Sequence, residues 1–264
     1  MKKPSVPSVL IAVLAGVLVC SLTLPFASAA TVLITGTNRG IGLEFVRQYA
    51  ARGDEVIATA RSPDTATELR ALASEFKSVR IERLDVTDVT AIEALASKYR
   101  GKPIDIIINN AGTLGDVSKQ RAGSLDQAEF LDVINANTFG ALKVADAFKA
   151  NLLAGKTRKV FGMTSGLGSS ELTARRGDFY AYRASKAALN IGFRALAADW
   201  RVEGIVVGLI APGMVETDLL RASGFPGRGI TPEESVAGMI KVIDGMTLEN
   251  NAEAINYDGK PIPW

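Results

Sequence analysis

The chain has no histidine and a single cysteine, Cys20, among its 264 residues. Metal sites built from His and Cys, histidine-based triads and cysteine nucleophiles are therefore excluded, and any acid or base must be Tyr, Lys, Asp or Glu. An excess of one charge sign is also missing. Lys and Arg number 30 against 28 Asp and Glu, for a net charge of +2, and the basic residues are scattered without runs, which argues against nucleic acid as a partner. There is no internal linker or repeat. With 47% hydrophobic and 22% charged residues, the length suits one α/β-sized globular domain.

The N-terminus carries Lys2 and Lys3, an apolar stretch from Val9 to Leu24, then Pro25 and the small residues Ala27, Ser28 and Ala29. That layout predicts a secretory signal peptide over 1–29, cleaved after Ala29, and a mature domain over 30–264 that is periplasmic or secreted. An uncleaved membrane anchor is the rival reading, but Ser21, Thr23 and Pro25 interrupt a run already short of the ~20 residues a span needs. Membrane association is expected only in that case. A misassigned start codon would leave the protein cytoplasmic. Val19, not a small residue, precedes Cys20, which argues against a lipoprotein; once the segment is removed no thiol remains to react to an oxidising compartment.

From Thr31 onward, TVLIT, DEVIATA, SVRIERLD, PIDIIIN, TRKVFGMTS, GIVVGLIAP and AEAINYD read as strands separated by helix-length amphipathic stretches. Continuous apolar strands alternating with helices predict a parallel sheet covered on both faces, a doubly wound α/β fold in a single domain. Gly53 reads as a helix stop, and Thr231, Pro232 and Glu234 as a capping box. A long helix over 179–203 carries apolar residues on more than one side, among them Ile191, so its outer side is expected to meet overlying loops or a second copy of the chain in a homo-oligomer.

TGTNRGIG, Thr35 to Gly42, follows the first strand and opens a helix. Gly36 permits a tight turn, Gly40 and Gly42 allow close backbone approach, and Asn38, Arg39 and Ile41 complete a turn whose helix start offers amides to a pyrophosphate. The spacing is not G-x-G-x-x-G, and a purely structural strand-to-helix turn would use the same residues. The second strand ends Thr59, Ala60, Arg61, without the carboxylate that usually accepts the ribose hydroxyls of NAD. Arg61 and Arg39 are suited to a 2′-phosphate, which favours NADP(H) over NAD(H), although both also read as solvated surface residues. Asp85, followed by Val86, is placed either for the adenine edge or as the cap of a helix starting near Thr87. Asn109, Asn110, Ala111 and Gly112 follow the fourth strand, at the end where such sheets bind ligands.

Tyr182 and Lys186 lie one turn apart on the long helix and share a face. An ammonium beside a phenol favours the phenolate and draws its pKa of about 10 towards a useful range. Such a pair also arises by chance on helix surfaces; Tyr180, nearby, has no lysine at the matching offset. TGTNRGIG, NNAG, YRASK and APGMVETD, in this order and on these elements, resemble the short-chain dehydrogenases/reductases over Thr31 to Trp264. The tail NYDGKPIPW and the run YAYRASKAALN are most similar to the C-factor-like carbonyl reductases.

The resemblance implies a Rossmann-type sheet of about seven strands, hydride transfer to a carbonyl or from an alcohol, and an Asn–Ser–Tyr–Lys tetrad. Tyr182 is then the proton donor, Lys186 lowers its pKa and holds the nicotinamide ribose, and Ser165 binds the substrate oxygen. Asn137, with Gly140 at the usual offset, matches the asparagine that keeps a water linked to Lys186, ahead of Asn135. Pro212, Gly213, Val215 and Thr217 fall on the cofactor-binding segment, Thr217 resembling the residue that contacts the carboxamide. The segment between Ser165 and Tyr182 is longer than the family pattern, which makes Ser169 the competing serine; its extra residues, with Arg175 and Arg176, are expected as a loop over the site. Two functions fit. One is an NADP(H)-dependent reductase of small apolar carbonyls, with Leu114, Leu167, Leu219, Leu220 and Phe225 lining its pocket unless they are ordinary packing. The other is an exported signalling or interaction protein that binds the dinucleotide without turnover.

Overall fold

Seven short apolar runs become the strands β1 (Thr31–Ile34), β2 (Glu55–Ala60), β3 (Val79–Arg83), β4 (Ile106–Asn109), β5 (Lys159–Met163), β6 (Val206–Ala211) and β7 (Ala254–Asn256). They form one sheet, parallel throughout, in the order β3-β2-β1-β4-β5-β6-β7. This is the Rossmann-type arrangement the alternating pattern implies, in a single domain. The structure is a computed structural model that describes Met1 and residues 29–173 and 177–263. Residues 2–28 of the expected signal peptide, Cys20 among them, and Arg175 and Arg176 of the expected loop lie outside the described residues.

Ten helices among the described residues cover the sheet: α1 (Gly40–Ala51), α2 (Thr67–Glu75), α3 (Val89–Lys98), α4 (Gln127–Ile134), α5 (Gly140–Ala147), α6 (Lys149–Ala154), α7 (Ser170–Thr173), α8 (Tyr180–Trp200), α9 (Asp218–Ala222) and α10 (Pro232–Gly245). Strand residues alternate between two cores. Val32 and Ile34 of β1 pack with Phe45, Tyr49 and Met239 of α1 and α10 on one face. Leu33 and Ile107 pack with Ile92, Val144 and Phe193 of α3, α5 and α8 on the other. Each wholly buried Ile, Leu or Phe of this kind contributes about 1.5–3 kcal/mol, so the central strands hold both layers in register.

Caps fix where helices begin. Thr231 accepts from the Glu234 amide at 3.1 Å with Pro232 in the first turn, as the capping-box pattern predicts. The start of α3 differs from expectation: the helix begins at Val89, and Asp88 caps it by accepting from the Ala91 amide. Asp85 instead folds a local turn, accepting from the Thr87 amide and hydroxyl at 3.0 and 2.7 Å. A short acidic residue two positions before an amide closes such a turn as readily as a cap. The long helix runs over Tyr180–Trp200, with a 3-10 turn after it, and Ile191 on its outer side stays 68% exposed.

Between β1 and β4 the strand order reverses direction. Connections leave to opposite sides there, opening a crevice at the strands' carboxyl ends.

Candidate active site

The glycine turn is braced from the β4 side. Asn110 Nδ2 donates to the Thr35 and Gly36 carbonyls at 2.9 and 3.0 Å, and the Ala111 amide donates to Thr35 Oγ1 at 3.0 Å. Gly36 holds φ +70°. A Cβ on Gly42 would fall 2.2 Å from the Gly36 carbonyl oxygen and 2.5 Å from Asn110 Nδ2, so only glycine permits that approach. Arg39, extended before α1, puts no side-chain cap on the helix start. Gly40 and half-buried Ile41 open the helix, Asn38 is exposed beside them, and Thr217 stands across from Gly40, 3.5 Å from where a Cβ would lie. These features fit a dinucleotide pyrophosphate, which needs free amides and a surface without side chains.

The rest of the crevice is spread along the strand ends. Arg61 is exposed directly after β2, and Arg39 forms an exposed ion pair with Asp218 at 3.3 Å. The Val86 carbonyl abuts Gly140, and Gly112 faces both Asn137 and Lys186. Pro212 accepts from Ser235 Oγ at 2.7 Å, Gly213 takes φ +76°, and Val215 is buried in a bridge to Ile230. Thr217 donates to the Val215 carbonyl and caps α9 through the Leu220 amide.

Tyr182, Lys186, Ser165 and Asn137 converge. Tyr182 is 7% and Lys186 4% exposed on the inner face of α8. Burial pushes the Tyr182 phenol up to about 12, against an opposing effect of the neighbouring Ser165 hydroxyl. Burial pushes the Lys186 ammonium down to about 8. Lys186 Nζ donates to the Met163 carbonyl at 2.7 Å and lies 5.6 Å from the Tyr182 ring centroid. Ser165 is the neighbour that opposes the rise; the lowering expected from Lys186 is not found, because desolvation disfavours both charged forms. At neutral pH the phenol keeps its proton.

Ser165 lies two residues past β5 and also accepts from the Leu167 amide, whereas Ser169 is turned to the Leu172 amide at the start of α7. Asn137 sits in a π-helical turn, Asn135–Phe139, inserted between α4 and α5. Its Nδ2 donates to the Thr113 carbonyl at 2.8 Å and to Ser185 Oγ at 3.0 Å, and its Oδ1 accepts from the Thr113 amide. The extra residue of a π turn re-aims one side chain inward, and here it aims Asn137 rather than Asn135 at α8. Sequence reasoning missed four residues that hold these groups. Thr138 donates to the Ser185 carbonyl, Asn190 pairs with Thr164, Ser185 donates to the Tyr182 carbonyl, and Gln120 meets the start of α8. Apart from Ser185, three residues from Tyr182, their partners are distant in the chain, so no local pattern marks them.

Residues 30–224 match the family described as short chain dehydrogenase. The chain belongs to that family. As a short-chain dehydrogenase it is an NAD(P)-dependent oxidoreductase, similar to the C-factor and carbonyl reductase members. It is 37% identical to the C-signal protein of Myxococcus xanthus over 66% of this chain and all of that protein. It is 34% identical to a 1-hydroxy-2-glutathionyl-2-methyl-3-butene dehydrogenase of Rhodococcus, over 89% of this dehydrogenase and all of that one. Among solved structures, an NADPH-bound carbonyl reductase from chicken fatty liver aligns with a TM-score of 0.81 and 31% identity, covering 89% of this chain and 99% of that one.

Proposed function

We propose that this dehydrogenase reduces a small apolar carbonyl with NADPH, or oxidises the matching alcohol, with Tyr182 as the proton donor. The observation that carries the reading is a buried phenol beside Ser165, one helical turn from the buried Lys186, at the carboxyl end of the sheet. Bound NADPH supplies a hydride to the carbonyl carbon. The Ser165 hydroxyl holds the carbonyl oxygen, and Tyr182, protonated at neutral pH, gives its proton to that oxygen as negative charge develops. The same Ser165 hydroxyl then stabilises the phenolate left behind. Lys186 would hold the ribose, and Asn137, which faces it across Gly112, would belong to the relay that returns the proton from solvent. Leu114 is buried against Tyr182, with Leu167 and Phe179 packed on the same cluster, which suits an apolar substrate. Assaying NADPH oxidation with a panel of ketones and quinones tests the reading.

The preference for NADP(H) rests on Arg39 and Arg61 and on the missing carboxylate after β2. The Arg39–Asp218 pair does not oppose it, since pairs this exposed contribute only about 0–1 kcal/mol. Replacing Arg61 by Asp is expected to weaken NADPH binding about 10–100-fold, as loss of a charge-assisted hydrogen bond implies, and to leave NADH binding no weaker. Unchanged NADPH affinity in a fluorescence titration would remove the assignment.

Export with cleavage after Ala29 remains our reading of the N-terminus. The Ala30 amide donates to Asp54 Oδ1 at 2.9 Å, so the ammonium freed at Ala30 meets a carboxylate already in place. Mature protein is expected to begin at Ala30; an intact Met1 form recovered from the cytoplasm overturns export.

The match to a C-signal protein, over all of that protein and 66% of this chain, favours one alternative, dinucleotide-dependent signalling without turnover. NADPH binding with no carbonyl or quinone consumed would select it.

A further inference from the structure

Helix α8 carries Tyr182 and Lys186 but starts without a cap of its own. Phe179, the residue before it, adopts the left-handed conformation (φ 52°, ψ 44°) and provides no side-chain cap. The opening amides of a helix need acceptors from elsewhere. Here they come from one residue far back in the chain. The Gln120 carbonyl accepts from the Tyr180 amide at 3.2 Å, and Gln120 Oε1 accepts from the Tyr182 amide at 3.0 Å.

Gln120 is wholly buried, and its Nε2 donates to the Leu114 carbonyl at 2.7 Å. Reversing the side-chain amide would set N–H against N–H and oxygen against oxygen, so both bonds fix its orientation. The surrounding loop leaves no slack, because a Cβ on Gly115 would lie 2.8 Å from Nε2. Leu114, at the other end of this bridge, packs in the cluster that holds the Tyr182 ring.

We propose that Gln120 is a positioning residue: by accepting from the Tyr182 amide and donating to the Leu114 carbonyl, it fixes the phenol against Ser165 and the loop after β4. The inference rests on Tyr182 being the proton donor. Without the bridge the Tyr182 amide is buried and unpartnered, and the first turn of α8 must shift to find water or another acceptor. A displacement near 1 Å at a reacting group costs about 100-fold in rate. Moving the phenol from Ser165 also removes the neighbour that favours the phenolate, so its titration moves to higher pH. Among the described residues Gln120 makes no hydrogen bond to the glycine turn, and cofactor affinity is not expected to follow.

The test compares wild type, Gln120→Leu, Gln120→Glu and Tyr182→Phe. Gln120→Leu is expected to lower kcat about 10–100-fold, keep the NADPH dissociation constant within about threefold, and move the alkaline rise of alcohol oxidation to higher pH. Gln120→Glu distinguishes positioning from bulk packing. A buried carboxyl held protonated has one donor and one acceptor and reproduces both bonds, so its activity should approach wild type at low pH and fall as the carboxyl ionises. Amide exchange in the wild-type protein gives a readout that needs no variant to fold: the Tyr182 amide should be protected like the middle of α8. Wild-type kcat in Gln120→Leu, a parallel loss of NADPH binding with an unshifted pH profile, or fast exchange at Tyr182 overturns the proposal. Full activity in Tyr182→Phe would instead overturn the proton-donor reading itself.

Discussion

Replacing Tyr182 by phenylalanine is expected to lower kcat for carbonyl reduction about 10²–10⁴-fold, the range over which a positioned general acid acts. The ring is buried among Leu114, Ala181 and Val133, and phenylalanine fills that space, so the change removes a hydroxyl and little else. The glycine turn and its Asn110 brace do not touch the hydroxyl, and NADPH binding should persist. Burial keeps the phenol protonated at neutral pH. Reduction needs that proton and should decline as pH rises towards the phenol's titration, whereas alcohol oxidation needs the phenolate and should rise over the same interval. Both limbs should vanish in the variant. Steady-state kinetics in the two directions, with NADPH binding followed by fluorescence, decide the matter; equal rates in variant and wild type remove Tyr182 from the chemistry.

Gly42→Ala is expected to abolish useful cofactor binding, raising the NADPH dissociation constant more than about 100-fold. Its new methyl would sit 2.2 Å from the Gly36 carbonyl oxygen and 2.5 Å from Asn110 Nδ2, and one of these neighbours is backbone. The turn must open, and Asn110 then loses its bonds to the Thr35 and Gly36 carbonyls. Overpacking of this kind costs about 1–3 kcal/mol in stability, with about 1 kcal/mol more for each hydrogen bond lost. The pyrophosphate meets the same displaced amides, so affinity falls further than stability. Gly245→Ala is the control, since a methyl there meets nothing within 4 Å. A denaturation curve and an NADPH titration on both proteins measure the contrast; wild-type affinity in Gly42→Ala would show that the turn does not hold the dinucleotide.

Much of the fold was legible before any coordinates. β4 and β6 are buried along their whole length, and strands of that kind read as unbroken apolar runs rather than alternations. The glycine turn was legible because backbone approach is a property of glycine itself. Asp85 was not, because the same side chain closes a turn or caps a helix depending on where the next amides fall. Nor was the balance at Tyr182: helical spacing brought the lysine to the right face, but only burial determined which neighbour tunes the phenol.

The sequence by itself determined the doubly wound sheet, the glycine turn at its switch point and the shared face of Tyr182 and Lys186. All three follow from short-range periodicity and from which residues lack a side chain. Tertiary structure alone decided which asparagine faces α8, that Lys186 turns to the Met163 carbonyl, and that Gln120 meets the Tyr182 amide across 62 positions. Those contacts join distant segments, and their geometry exists only after the two cores have packed both layers of helices against the strands.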